Sequence, residues 1–162
     1  DVDLTPSGIE EAKKIGEILK NEPVTKAYQS DQIRSKHTLE LVLNGWHNNI
    51  EIITDPRIRE RDYGDLTGLN KDEIAKLDPV DFALWHRSYD IAPPNGESVE
   101  MVTKRVFPFI EELKKALKPD DVVFISASAN SIRAIRKYFE NLTNEQTVGY
   151  EYTPAQIFNY EI

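Results

Sequence analysis

Apolar residues Ile9, Ala12, Ile15, Ile18 and Leu19 recur at helical spacing behind Thr5-Pro6 and predict an amphipathic helix over residues 6–20. Thr5 is placed to cap the first amides, and Pro6 suits the first helical position, where no N–H is needed. Pro23 closes this helix, and Val24 to Tyr28 reads as a short strand. Ile33, His37, Leu41 and Val42 mark a second helix that stops at Asn44-Gly45, and Glu51-Ile52-Ile53 a second short strand. From Asp55 to Gly68 the charge is dense and the periodicity poor, which predicts a long loop. Residues 70–87 read as two short helices, and Asp90 to Gly96, with Pro93-Pro94-Asn95, as a turn. Ser98 caps a long helix through Val102, Val106, Phe109, Ile110 and Leu113, its lysines crowded toward the C-terminal end, where the helix dipole favours them. Val122-Val123-Phe124-Ile125 is an unbroken apolar run of the kind a strand buried on both faces requires. Residues 131–140 return to helix, and Ile157 to Tyr160 form a last strand. Helices alternating with strands, without repeat or linker, predict the α/β class: a mostly parallel sheet flanked by helices, in a single domain over residues 1–162.

Composition narrows the function. The 162 residues hold 20 Lys+Arg against 28 Asp+Glu, a net charge of −8, which disfavours non-specific binding to nucleic acid. With no Cys there is neither a disulfide framework nor a thiolate metal site. No apolar run reaches the roughly 18–20 residues of a membrane span, and Asp1-Val2-Asp3-Leu4 is not a signal peptide. A cytoplasmic protein binding neither membrane nor nucleic acid is expected.

Ligands of such sheets bind at the carboxyl ends of strands. Three polar segments fall there: Ser30-Asp31-Gln32-Ile33-Arg34, Ser126-Ala127-Ser128-Ala129-Asn130-Ser131-Ile132-Arg133, and the loop Arg57-Ile58-Arg59-Glu60-Arg61-Asp62-Tyr63-Gly64. An arginine at a helix start favours an anion, because it adds a bidentate donor to the helix field. Small residues at Ser128-Ala129 let backbone approach a ligand. Gathered in an acidic chain, these basic side chains suggest a small anionic substrate. Residue by residue, other readings stay open. Glu60 alone reads as a solvated loop charge, and Arg34 as the partner of a surface carboxylate or a phosphate. Tyr63 is a packing aromatic or a ligand, Lys71 a solvated lysine, and Asn130 a helix cap. Arg61 with Asp62, and His86 with Arg87, fit surface positions. Arg105 and Arg133 read as structural ion-pair formers. Ser128 has no His or Lys near it in sequence to activate it as a nucleophile. His37 and His47 read as ordinary histidines; no third ligand accompanies them, so no metal is expected.

In this order the segments resemble the histidine phosphatase superfamily, nearest its cofactor-dependent phosphoglycerate mutase branch. The likeness covers essentially the whole chain. It is carried by Leu4-Thr5 with Gly8, by Ser30, Arg34 and Thr38, and by Glu60 through Lys71. Trp85 through Ile91 with Pro93-Pro94, Gly96-Glu97-Ser98 and Asn130 through Arg133 complete it. The implied fold is a phosphoglycerate mutase-like three-layer sandwich. The implied activity is that of a glycolytic and gluconeogenic isomerase, interconverting 2- and 3-phosphoglycerate through a phosphohistidine primed by 2,3-bisphosphoglycerate, without metal. On this resemblance Glu60 is the acid/base and Arg34 neutralises phosphoryl oxygens. Tyr63, Lys71 and Arg87 hold the substrate, with Arg61 nearby, His86 where mutases carry the first of two arginines, and Ala129 and Asn130 beside the transferred group.

The sequence departs from the family at the nucleophile. The arginine-histidine-glycine strand of the family precedes the helix that starts here at Thr5, and residues 1–162 do not include it. The expectation is a chain short of its first strand, with two unpaired strand edges and a gap in the core where the family's sheet holds it, as part of a longer or altered protein. The second family histidine aligns with Ser128 and the following glycine with Ala129. Ser128 donates a neutral hydrogen bond, about half as strong as a charged one, so catalysis by the chain as given is expected to be strongly impaired. The short Pro94-Asn95-Gly96 connection lacks the insertion of longer mutases, which bears on oligomeric contacts and leaves a homo-oligomer open. Two alternatives stand beside the mutase: a broad phosphomonoesterase, and a catalytically silent relative that binds a phosphorylated metabolite.

Overall fold

A computed structural model of the chain describes residues 1–46 and 49–162, and of Lys71, Glu73, Leu77 and Arg87 the backbone alone; His47 lies outside the described residues. The architecture is α/β, as the alternation predicts. The described residues divide into two compact units built from discontinuous stretches.

The first unit comprises Asp1–Arg59, Glu111–Ser128 and Tyr152–Ile162. Its parallel sheet has the order β2-β1-β3, with β1 at Lys26–Gln29, β2 at Glu51–Thr54 and β3 at Val123–Ser126. Lys26 pairs with both Glu51 and Val123, and Gln29 with both Thr54 and Ser126, so the three strands end level. Helix α1 (Pro6–Leu19) has its Thr5 hydroxyl accepting from the Gly8 amide, and packs on α2 (Ile33–Leu43), which lies on β1 and β3. Where the two helices meet, a Cβ on Gly16 would stand 2.6 Å from the Val42 carbonyl oxygen, so only glycine permits this approach. Leu39 and Val42 of α2 and Ala12 of α1 are buried there. At the far end of the strands the Lys26 ammonium meets the Asp121 carboxylate at 2.5 Å, and the Thr25 hydroxyl donates to the same carboxylate at 2.9 Å.

Three expectations about strands need correction. The first strand starts at Lys26 rather than Val24, because the Val24 amide turns back to the Glu22 carbonyl; Val24 is buried without joining the ladder. Of β3 only Ser126 is buried, since the strand pairs with β1 alone among the described residues and lies at a sheet edge. No strand forms at Ile157 to Tyr160. The alternation there is real, with Phe158 and Tyr160 half-buried between exposed neighbours, and Phe158 meets the Tyr152 ring edge-on at 6.2 Å. The segment's backbone pairs with no other strand, and alternation without a ladder makes no strand.

The second unit comprises Glu60–Ile110 and Ala129–Glu151. It holds α3 (Lys71–Leu77), α4 (Pro79–Arg87), α6 (Ala129–Glu140) and α7 (Asn144–Gly149). Most of α5 (Val99–Ala116) belongs here, the Ser98 hydroxyl accepting from the Met101 amide at 3.2 Å. The predicted face of α5 is the buried one: Val102, Val106, Phe109 and Ile110 are all at most 2 % exposed. The loop expected from Asp55 to Gly68 contains two 3₁₀ turns, Pro56–Ile58 and Gly64–Leu66. Helix α7 was not expected; a capping box between Thr143 and Gln146 starts it. No helix among the described residues is long and apolar enough to cross a membrane.

Candidate active site

The loop that carries Glu60 is folded by what it touches. Gly64 has φ +54°, and a Cβ there would sit 2.1 Å from the Pro94 carbonyl oxygen. Only glycine tolerates both the left-handed backbone and that approach. The loop and the Pro93–Gly96 turn are laced together: Glu97 N–H donates to the Asp62 carbonyl at 2.8 Å, and Asp65 N–H to the Pro94 carbonyl at 3.0 Å. The Asp62 carboxylate accepts from the Gly64 amide at 2.8 Å. The Asp62 amide donates to the Glu97 carboxylate at 3.0 Å.

This scaffold presents Glu60 to the start of α6. One carboxylate oxygen, Oε1, accepts three hydrogen bonds: from Arg61 N–H at 2.7 Å, Asn130 N–H at 3.2 Å and Asn130 Nδ2 at 2.9 Å. Asn130 is 8 % exposed and stands in the first turn of α6, where backbone amides have no intrahelical acceptor. An anion is favoured there by the helix dipole as well. Asn130 Nδ2 also donates to the Tyr63 hydroxyl at 3.3 Å. The structure therefore brings together Glu60, Tyr63 and Asn130, with the exposed Ala129 beside them at the helix start.

Arg61 is buried to 4 % exposure; its Nη1 donates to the Trp85 carbonyl at 3.1 Å and its guanidinium lies 4.5 Å from the centre of the Tyr63 ring. Its Nε, also buried, has no hydrogen-bond partner. The guanidinium thus links the Glu60 loop to the last turn of α4. On that helix His86 is exposed and meets the Phe82 ring edge-on at 5.4 Å. Lys71 begins α3 and Arg87 ends α4, and their side chains lie outside the described residues.

Arg34 and Ser128 belong to the first unit. Arg34 stands in the first turn of α2, half-buried, with no hydrogen bond or ion pair among the described residues. The turn is fixed by three serines at the strand ends. Ser35 Oγ accepts from the buried Ser30 amide at 2.9 Å and donates to the Ser126 carbonyl at 2.9 Å, and Ser126 Oγ donates back to the Ser35 carbonyl at 3.2 Å. Ser128 is half-buried, two residues beyond the end of β3. Among the described residues no three imidazole or carboxylate groups gather as a metal ion needs.

The whole chain, residues 1–162, matches the family model of the histidine phosphatase superfamily (branch 1). The chain belongs to the histidine phosphatase superfamily. It is 37% identical over 150 residues to a 2,3-bisphosphoglycerate-dependent phosphoglycerate mutase of Afipia carboxidovorans, covering 90% of this chain and 72% of the relative. To the mutase of that name from Parvibaculum lavamentivorans it is 38% identical over 168 residues, covering 100% and 80%. Among solved structures it resembles Bacillus stearothermophilus YhfR, with a TM-score of 0.82 at 25% identity over 94% of this chain and 74% of that one. A mycobacterial glucosyl-3-phosphoglycerate phosphatase matches with a TM-score of 0.77 at 25% identity, over 92% and 73%. Members of the superfamily are phosphoryl-transfer enzymes, and a small phosphorylated substrate fits it.

Sequence reasoning did not connect Glu97 or Arg105 to the site. Glu97 is 35 residues from the amide it accepts from and Arg105 is 45 residues from Glu60, distances that no local periodicity bridges.

Proposed function

We propose that the protein acts on phosphoglycerate, as a mutase exchanging the 2- and 3-isomers in glycolysis and gluconeogenesis. The observation that carries this reading is the Glu60 carboxylate held by the Asn130 and Arg61 donors beside the Tyr63 hydroxyl. Phosphoryl transfer between hydroxyls needs a group that takes a proton from one oxygen and returns it to another, and a held carboxyl does this. Glu60 fills that role, Asn130 orients the transferred group, and Arg34 supplies charge for the phosphoryl oxygens. Tyr63, Lys71, His86 and Arg87 hold the substrate's carboxylate and distal end, and Ala129 leaves room at the start of α6. The mutase-named relatives, at 37% and 38% identity, support the same substrate class.

The residues present suit 2,3-bisphosphoglycerate as the priming group: the half-buried Arg34 guanidinium has no competing partner among the described residues. Arg34 would meet one of its phosphates, and when bound the group would supply the phosphoryl group that primes a nucleophilic histidine. Ser128 stands for the second family histidine and offers a neutral donor in place of a charged one. Isolated turnover is therefore expected to be low.

Calorimetry of the chain with 3-phosphoglycerate tests the substrate. Isomerisation is measured in a form carrying an arginine-histidine-glycine strand ahead of Asp1, together with Ser128→His. Binding followed by exchange of isomers supports the mutase. Release of inorganic phosphate instead supports a phosphomonoesterase, a reading favoured by the structural likeness to a glucosyl-3-phosphoglycerate phosphatase. Binding with no turnover in either form supports a silent metabolite-binding relative. Absence of binding in both forms refutes the mutase and disfavours the silent relative.

A further inference from the structure

The Glu97 and Arg105 side chains are engaged with the backbone on both sides of Arg61. Arg105 makes a bidentate pair with Glu97, Nε to Oε1 at 3.0 Å and Nη2 to Oε2 at 2.9 Å. The same Nη2 donates to the Glu60 carbonyl at 3.2 Å, while Glu97 Oε2 accepts the Asp62 amide at 3.0 Å. The Glu60 carbonyl and the Arg61 amide lie in one rigid peptide plane. Arg105 therefore fixes the very plane whose N–H holds the Glu60 carboxylate, and Glu97 fixes the next plane along. Both side chains are about four-fifths covered, at 19% and 21% exposure, and Arg105 stands on a helix whose inner face is fully buried.

We propose that the Glu97–Arg105 pair is a positioning device for Glu60, setting the two peptide planes so that the carboxylate meets Asn130. The proposal rests on the reading of Glu60 as the proton-carrying group. A plain surface ion pair would leave the loop geometry unchanged when broken. A positioning pair swings the carboxylate away from its three donors. Lysine at 105 retains the charge but has no planar fork to serve Glu97 and the Glu60 carbonyl together.

The test uses Glu97→Gln, Arg105→Lys and the double variant of the full chain, followed by amide hydrogen exchange and by NMR of the Asn130 side-chain amide. In each single variant the Arg61 amide exchanges about tenfold faster relative to Val106 of the same sample. The Asn130 Nδ2 signals also move, and the double variant adds nothing to either single, as expected of residues acting as a unit. Equal acceleration at Arg61 and Val106, or unmoved Asn130 signals, would overturn the proposal. Calorimetry with 3-phosphoglycerate on the unaltered chain is scored separately. If that binding is absent while the Arg61 and Asn130 changes appear, the functional reading fails and the positioning of Glu60 stands.

Discussion

Replacing Ser35 with alanine removes one oxygen from the junction of α2, β1 and β3. That oxygen accepts the Ser30 amide and donates to the Ser126 carbonyl, both at 2.9 Å, and the three serines are at most 6 % exposed. Water has no ready access to the orphaned groups. The cost combines one lost hydrogen bond with a buried N–H left unsatisfied, together about 2–4 kcal/mol. At this chain length that lowers the melting temperature by about 5–15 °C. Urea unfolding followed by far-UV circular dichroism reads the midpoint, and a double-mutant cycle with Ser126→Ala isolates the coupling. That coupling should be small, because each hydroxyl donates to the other residue's backbone carbonyl, which alanine retains. A Ser35→Ala protein within about 0.5 kcal/mol of wild type, the scale of an ordinary surface substitution, would refute the reasoning.

Arg34→Gln should do the reverse. Arg34 has no partner among the described residues, so stability stays within about 0.5 kcal/mol while affinity for 3-phosphoglycerate falls about tenfold or more, read by urea midpoint and calorimetry. Gly64→Ala meets backbone at 2.1 Å as well as a positive φ, and should cost more than about 3 kcal/mol in chemical denaturation. Lys26, the Lys118 amide and Thr25 hold the Asp121 carboxyl down to about 2, from an ordinary value of 3.8. The folded value is depressed, so its contribution is present above pH 3.8 and is lost as pH falls toward about 2. Asp121→Asn should flatten the urea midpoint between pH 4 and pH 2, and an unchanged slope there would count against that pairing.

The helices were legible because their signals are local. Thr5-Pro6 starts α1, Asn44-Gly45 stops α2, and the apolar face from Val102 to Leu113 is the face that is buried. Strands were legible only in part, since a strand is completed by its neighbour. Ile157 to Tyr160 alternates and finds no ladder, and Val123 to Ile125 is apolar throughout yet lies at an edge of the described sheet. Helix α7 carried its capping signal openly, in Thr143 and Gln146, in a stretch too short for periodicity to speak. At the site, Glu60 and Asn130 lie 70 residues apart, and only their places in family motifs suggested that they meet. The bracing by Glu97 and Arg105 was not legible at all. Arg105 reads as an ion-pair former, and what it does to a backbone carbonyl 45 residues away depends on the folded loop.

Gly16 has a consequence beyond its own position. The 2.6 Å between its missing Cβ and the Val42 carbonyl would have to grow to at least 3.0 Å to admit any side chain at all. Such a change would not stay local. Two helices in ridge-and-groove contact separate along their whole length, so every pair between α1 and α2 would loosen together. Gly16 works as a spacing gauge. Sequence drift along either helix can be absorbed one residue at a time, but drift at position 16 has to be answered by the entire interface at once.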